Sequence, residues 1–311
     1  MFLDKSLDSL RNTISNWPSY QNFPRDFLKS RVKVFTREYT SMIFKLSRRV
    51  KSKEKKLLRG FEQLVGSKES DMLLIIGGGP SVNNLSIEQI NRFKACGGEI
   101  MVMNDFAISK LAKLVKVDYY ILCDPEYWNI KAVPSEARKH AIVRQYLDQN
   151  TSITVIQPTG FSKIVSRERI LYISPLPTVG LRKYENPIGF WGHPNYVSLY
   201  SLAIARAFAY KEVYFAGLDS STYRHYEVDD LNRVKYRATE SHFYSNEAIE
   251  IFKESKNVFF QHPLNVFQKS IIDVLYGEII YRRSFEYLSR GYINVGSDPY
   301  NDACFRASLI T

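Results

Sequence analysis

Met72-Leu73-Leu74-Ile75-Ile76-Gly77-Gly78-Gly79-Pro80-Ser81 is an unbroken apolar run that ends in three glycines, and the rest of the chain is read outward from it. Five apolar residues without alternation suit a strand buried on both faces of a parallel sheet. The glycines after it allow a tight turn in which backbone N–H groups can approach an anion, and a helix beginning nearby favours negative charge. Pro80 is tolerated where a helix starts, and Ser81 offers a hydroxyl. No Gly-Lys-Ser/Thr follows, so the turn is not a Walker A loop. Val82 stands where a GxGxxG fingerprint needs its third glycine.

Beyond the turn, helix and strand signals alternate. Helices are expected at Ile87–Ala95, Ile108–Leu114, Ser135–Leu147, Ser198–Phe208 and Asn246–Lys253. Strands are expected at Glu99–Met103, Tyr119–Leu122, Ile153–Ile156, Glu212–Ala216 and Val258–Gln261, before a helical tail from about Val266. This pattern predicts an α/β fold, a doubly wound and mostly parallel sheet over residues 67–265, followed by a C-terminal helical tail over 266–311. Residues 157–192, with Pro158, Pro175, Pro177 and Pro187, fit no element and read as a loop or lid.

Upstream, residues 1–66 read as a helical extension. Between Arg25 and Gly60, thirteen basic residues face three acidic ones, a net +10 of the chain's +11. Apolar residues recur there at spacings of three and four, as on an amphipathic helix. An apolar face beside a Lys/Arg face suits an anionic membrane surface. A helix packed on the domain and a nucleic-acid contact are the alternatives, and no nucleic-acid-binding motif supports the last. No apolar run reaches the roughly 20 residues of a spanning helix. Without a signal-peptide pattern, the chain is expected in the cytoplasm, peripheral at the inner face of the cell membrane. Cys96, Cys123 and Cys304 form no CxxC pair and read as reduced, buried thiols. The five histidines show no ligand spacing, so no metal site is expected.

In a doubly wound sheet, ligands bind beyond the carboxyl ends of the strands. Four sets of polar residues fall at that edge: Gly77, Gly78, Gly79, Pro80 and Ser81; Asn104 and Asp105; Asp124; and Asp219. Their convergence predicts a nucleotide site.

GGGPSV after a strand, MND at the next strand end, VDYYILCDP at the third, and an Ala-rich helix leading into KEVYFAGLD resemble the bacterial sialyltransferase family of the Campylobacter type. That family carries GNGPSL, CN, NP and YKEIYLSGID in the same order. The likeness covers roughly residues 72–265 and is strongest over Ala203–Asp219. A more distant likeness is to pterin pyrophosphokinase-like and flagellin-glycosylation proteins.

The resemblance implies a single Rossmann-like, GT-A-like nucleotide-binding domain. The implied activity is glycosyl transfer of sialic acid or a related nonulosonic acid from a CMP-sugar to a surface glycan or lipid-linked acceptor. It implies that Gly77–Ser81 lines phosphate and ribose, that Asn104 meets the nucleotide, and that Asp124 reaches ribose hydroxyls. Ser198 falls near the family's cytosine- and sugar-contacting stretch. Tyr223 and Tyr226 follow Asp219 as two family tyrosines do, and those hydrogen-bond the departing phosphate. His242 falls near the general base, with His193 and His225 as weaker rivals. Such transfer needs neither metal nor cofactor, the CMP-sugar being a substrate. A homo-oligomer is left open.

Gly78 and Asp124 stand where the sialyltransferases have Asn, which keeps a second reading in play. This is an ATP-dependent pyrophosphokinase-like enzyme with Mg²⁺ on Asp105, Asp124 and Asp219. A third is a non-catalytic protein that binds nucleotide or membrane.

Overall fold

The structure, a computed structural model, describes residues 65–66, 68–128, 134–158, 162–166, 169–173, 197–219, 226–228, 234–237, 259–260, 282, 285–296 and 305–306. Six strands come first: β1 (Met72–Ile76), β2 (Glu99–Met103), β3 (Tyr119–Ile121), β4 (Thr154–Pro158), β5 (Ile170–Ile173) and β6 (Glu212–Ala216). Among them lie α1 (Ile87–Ala95), α2 (Pro134–Gln149) and α3 (Val197–Ala207). Three short strands follow, β7 (Tyr226–Val228), β8 (Val234–Arg237) and β9 (Phe259–Phe260). The last two are β10 (Ile293–Asn294) and β11 (Phe305–Arg306).

Eight strands form one sheet in the order β11-β10-β6-β1-β2-β3-β4-β5, and every pairing in it is parallel. The chain starts at β1, steps outward to β5, then returns to the other side of β1 as β6. In doubly wound sheets ligands bind beyond the carboxyl ends of the strands at such a reversal, which here falls between β1 and β6.

Period-two geometry explains why β1 is apolar throughout. Leu73 and Ile75 join one core with α3, Phe285 and Leu288. Leu74 and Ile76 join a second core with Ile90 and Phe93 of α1 and Val143 and Leu147 of α2. Each such side chain contributes about 1.5–3 kcal/mol on burial, so two covered faces hold strands of only three to five residues. Helix α1 starts at a capping box: the Ser86 hydroxyl accepts from Gln89 N–H and the Gln89 carbonyl accepts from Ser86 N–H.

Several expectations change. The helix expected at Ile108–Leu114 is two short 3-10 turns, Asn104–Ile108 and Lys110–Lys113. Ser109 separates them in extended conformation, which interrupts any α-helical run. Within the expected loop of 157–192, Ile170–Ile173 is the edge strand β5. Residues 162–164 are also tied down, because buried Gln157 donates to Ser162 O and accepts from Ile164 N–H, while Trp128 Nε1 donates to Ser162 O. The strand at Val258–Gln261 does not join the parallel sheet. Phe259–Phe260 pairs antiparallel with β8, in a three-stranded sheet with β7. The region expected to be a helical tail sends β10 against β6 and β11 against β10, so the sheet extends beyond residue 265. The basic segment 25–60, the helix at 246–253 and residues 266–281 lie outside the described residues.

Among the described residues no helix is long and apolar enough to cross a membrane.

Candidate functional site

Four neighbouring strands, β6, β1, β2 and β3, end in the polar residues singled out from the sequence. Asp219 follows β6, the glycine turn follows β1, Asn104 and Asp105 follow β2, and Asp124 follows β3. The rim is thus contiguous in space, although its residues are scattered over more than a hundred positions of sequence.

The glycine turn is bound to β6. Gly77 N–H donates to Ala216 O and Gly79 N–H to Gly217 O, each at 2.8 Å. Ser81 N–H donates to Asp219 Oδ2 at 2.8 Å, and the Ser81 hydroxyl donates to Asp219 Oδ1. That hydroxyl also accepts from Gly217 N–H at 2.9 Å. A Cβ at Gly77 would overlap the Gly217 carbonyl, and one at Gly79 would overlap the Asp219 carboxylate. Glycine at 77 and 79 therefore permits the close approach of the two strand ends. Asn84 Nδ2 donates to Gly296 O at 2.5 Å, which brings the end of β10 to the same clasp.

This alters the reading of the turn. The amides of Gly77, Gly79 and Ser81, expected to face a phosphate, already have partners inside the fold. The anion on Ser81 is the protein's own Asp219. Nor does an α-helix begin at Pro80. Pro80–Asn84 is a 3-10 turn, and α1 starts at Ile87 with its cap satisfied, so no α-helix terminus is presented beside Ser81.

Asn104 differs. Its φ is 45°, a left-handed conformation that among the described non-glycine residues only Ala209 shares. Asn tolerates this better than most residues, but it remains costly. Its Oδ1 is sealed from solvent and has no hydrogen-bond partner among the described residues. A buried acceptor left without a donor costs about 1–3 kcal/mol, so such an atom needs an explanation. Strained backbone and an acceptor without a donor among the described residues thus coincide at one strand end.

Asp105 departs from expectation. It is 9% exposed, its Oδ1 accepts from the Tyr127 hydroxyl, and its Oδ2 lies 3.0 Å from Lys139 Nζ on α2. Each oxygen of its carboxylate thus has a partner within the protein. Asp124 is exposed at the end of β3. Ser198 lies in the first turn of α3, and its carbonyl accepts from the Ser201 hydroxyl at 2.7 Å. Tyr226 begins β7, and nothing is described of its side chain. Tyr223, His242, His193 and His225 lie outside the described residues.

Among the described residues no group of three or more His, Cys, Asp or Glu is placed to hold a metal ion. Asp105, Asp124 and Asp219 are therefore not gathered into one such group. Cys123 is partly buried, and burial pushes its thiol well above the usual range, which makes it a poor nucleophile. Cys96 is exposed rather than buried.

Residues that sequence reading passed over complete the site. Tyr120, Tyr127 and Lys139 surround the turn after β2, and Asn294 and Gly296 reach the clasp from the C-terminal strand. Only Tyr120 gave a signal, as an aromatic in the middle of a strand. Compared with protein-family models, with curated proteins and with solved structures, the chain finds no match in any of the three.

Proposed function

We propose that the chain is a Rossmann-like, GT-A-like glycosyltransferase. It moves sialic acid or a related nonulosonic acid from a CMP-sugar to a surface glycan or lipid-linked acceptor, without a metal. The observation that carries this reading is the order of the rim. β6, β1, β2 and β3 lie side by side around the chain reversal, and each ends in a residue of the motif series. A ligand crossing that rim would meet the exposed Asp124 carboxylate, and a shift of the turn after β2 would bring it to the sealed Asn104 carbonyl, which has no donor among the described residues; both groups suit hydroxyl or amino donors of a nucleoside.

In the proposed reaction an acceptor hydroxyl oxygen bonds to the anomeric carbon as the bond from that carbon to the CMP phosphate oxygen breaks. The hydroxyl proton passes to the His242 imidazole, whose ordinary pKa near neutrality suits the task. The electron pair of the broken bond leaves with CMP, stabilised by hydroxyl donors from Tyr223 and Tyr226. The basic segment 25–60 would hold the enzyme against an anionic membrane surface, at the inner face of the cell membrane, beside a lipid-linked acceptor.

A thermal-shift panel of CMP, UDP, GDP and ATP, each with EDTA, tests the donor class. A ligand at about 100 times its Kd contributes roughly 2.7 kcal/mol, which a melting curve resolves. CMP is expected to stabilise most, and CMP-sialic acid is expected to release CMP in chelator. His242→Ala should slow that release by about 10²–10⁴-fold. Stabilisation by ATP alone, or full activity in His242→Ala, would remove the proposal.

A further inference from the structure

We infer that Tyr120, Asp105 and Lys139 form a latch that holds Asn104 in its left-handed conformation, and that they are positioning residues for nucleotide binding. The inference rests on the nucleotide reading above and assigns to three residues a task that the motifs do not.

The latch has two arms on one five-residue 3-10 turn, Asn104–Ile108. In the first arm the Tyr120 hydroxyl donates to Asn104 O and accepts from Ala107 N–H at 3.1 Å. One side-chain oxygen thus bridges the first and fourth residues of the turn. Tyr120 is fully buried in the centre of β3, so the position of its hydroxyl is set by the sheet. Burial also pushes its pKa well above the usual tyrosine value, so it stays protonated and remains a donor throughout the working pH range.

In the second arm Asp105 is gripped from the side of α2. Lys139 Nζ lies 3.0 Å from its Oδ2, and the Tyr127 hydroxyl donates to its Oδ1. Tyr127 is itself fixed. The His140 ring packs against it with centroids 4.7 Å apart, and Arg144 donates to its carbonyl at 2.9 Å. Helix α2 and strand β3 therefore hold consecutive residues from two directions, and the left-handed residue sits at the end of the turn they clamp.

Pure stability does not account for this arrangement. Glycine would adopt φ 45° with less strain than asparagine, and it would leave no buried carbonyl without a donor. A strained asparagine with an unsatisfied Oδ1, clamped by three buried or half-buried groups, is what preorganisation for a ligand donor requires.

A double-mutant cycle on the full chain tests the assignment, with CMP as probe and calorimetric Kd as readout. Tyr120→Phe is expected to weaken CMP binding about tenfold while the protein stays folded. In an Asn104→Gly background there is no amide to place, and adding Tyr120→Phe should change Kd less than twofold. Lys139→Met should behave like Tyr120→Phe, and Lys139→Arg should recover most of the loss. An equal Tyr120→Phe effect in both backgrounds, or no effect in either, overturns the latch.

Hydrogen exchange in the unliganded chain gives a second readout. Tyr120→Phe should speed exchange at the Asp105–Ala107 amides at least tenfold and leave β1 unchanged. If the wild-type chain binds no CMP, the nucleotide reading fails, and exchange still decides the latch: faster exchange upholds it, unchanged exchange overturns it.

Discussion

The turn after β1 and the turn after β2 are neighbours on one sheet edge, yet they are built to opposite ends. After β1 the glycines carry no side chains, and the amides of Gly77, Gly79 and Ser81 donate to β6 or to Asp219. After β2 a side chain is held in a costly conformation with its carbonyl oxygen unsatisfied. Satisfied polar groups hold structure together, whereas a buried one without a donor among the described residues needs an explanation, which the proposed function supplies as a ligand. Under the proposed function the more conspicuous motif is the clasp, and the less conspicuous one is the contact.

Breaking the clasp should have the largest effect. Gly77→Ala would drive a methyl group into the Gly217 backbone carbonyl as well as the Leu218 side chain, and the carbonyl has no rotamer by which to give way. A loss of about 3 kcal/mol is expected, read as a lower urea midpoint. Ser81→Ala removes the hydroxyl shared by Asp219 and Gly217 and should cost about 1–3 kcal/mol. Its CMP affinity should stay within about threefold of wild type. Affinity lost without stability would reverse the comparison and return the turn to phosphate binding.

The two left-handed non-glycine residues sharpen the contrast. Ala209 sits at the end of α3, where its N–H donates to Arg206 O, and glycine is favoured in such a position. Ala209→Gly should stabilise by about 1 kcal/mol and leave nucleotide affinity unchanged. Asn104→Gly should stabilise by about 0.5 kcal/mol but weaken CMP binding about tenfold. Stability and affinity moving in opposite directions at one residue, and not at the other, would mark a functional strain.

At the opposite end of the strands, Asp71 sits between Lys211 and Lys68, and their hydrogen bonds hold its carboxyl below the usual carboxylate range. A depressed carboxylate stabilises above its unfolded pKa, and that contribution is lost as pH falls through the lowered folded value. The melting difference between wild type and Asp71→Asn should therefore be present at neutral pH and be lost progressively on acidification below the ordinary Asp range. Asp71 and Lys211 are exposed, so the difference should be small and shrink further in high salt.

Much of the sheet was legible because burial on both faces leaves continuous apolar runs. MLLII, EIMVM, YYI and EVYFA announce themselves, and SIEQ announces the start of α1. The edge strand β5 did not, since four residues in a proline-rich stretch carry no period. Strands β10 and β11, two residues each, are fixed by partners far along the chain.

The same limit governs the site. Sequence placed Ser81, Asp105 and Asp219 at strand ends, but it did not show that Ser81 and Asp219 bind each other across 138 positions. Nor did it show that Lys139 takes Asp105. A polar residue at a strand end reads alike whether it faces a ligand or a lysine.

The most direct test is a calorimetric titration of CMP, in EDTA, into wild type, Asn104→Ala and Ser81→Ala chains. Saturable binding to wild type is predicted, weakened at least about tenfold by Asn104→Ala and about threefold or less by Ser81→Ala. Failure of wild type to bind, or the two variants exchanging roles, would contradict the account.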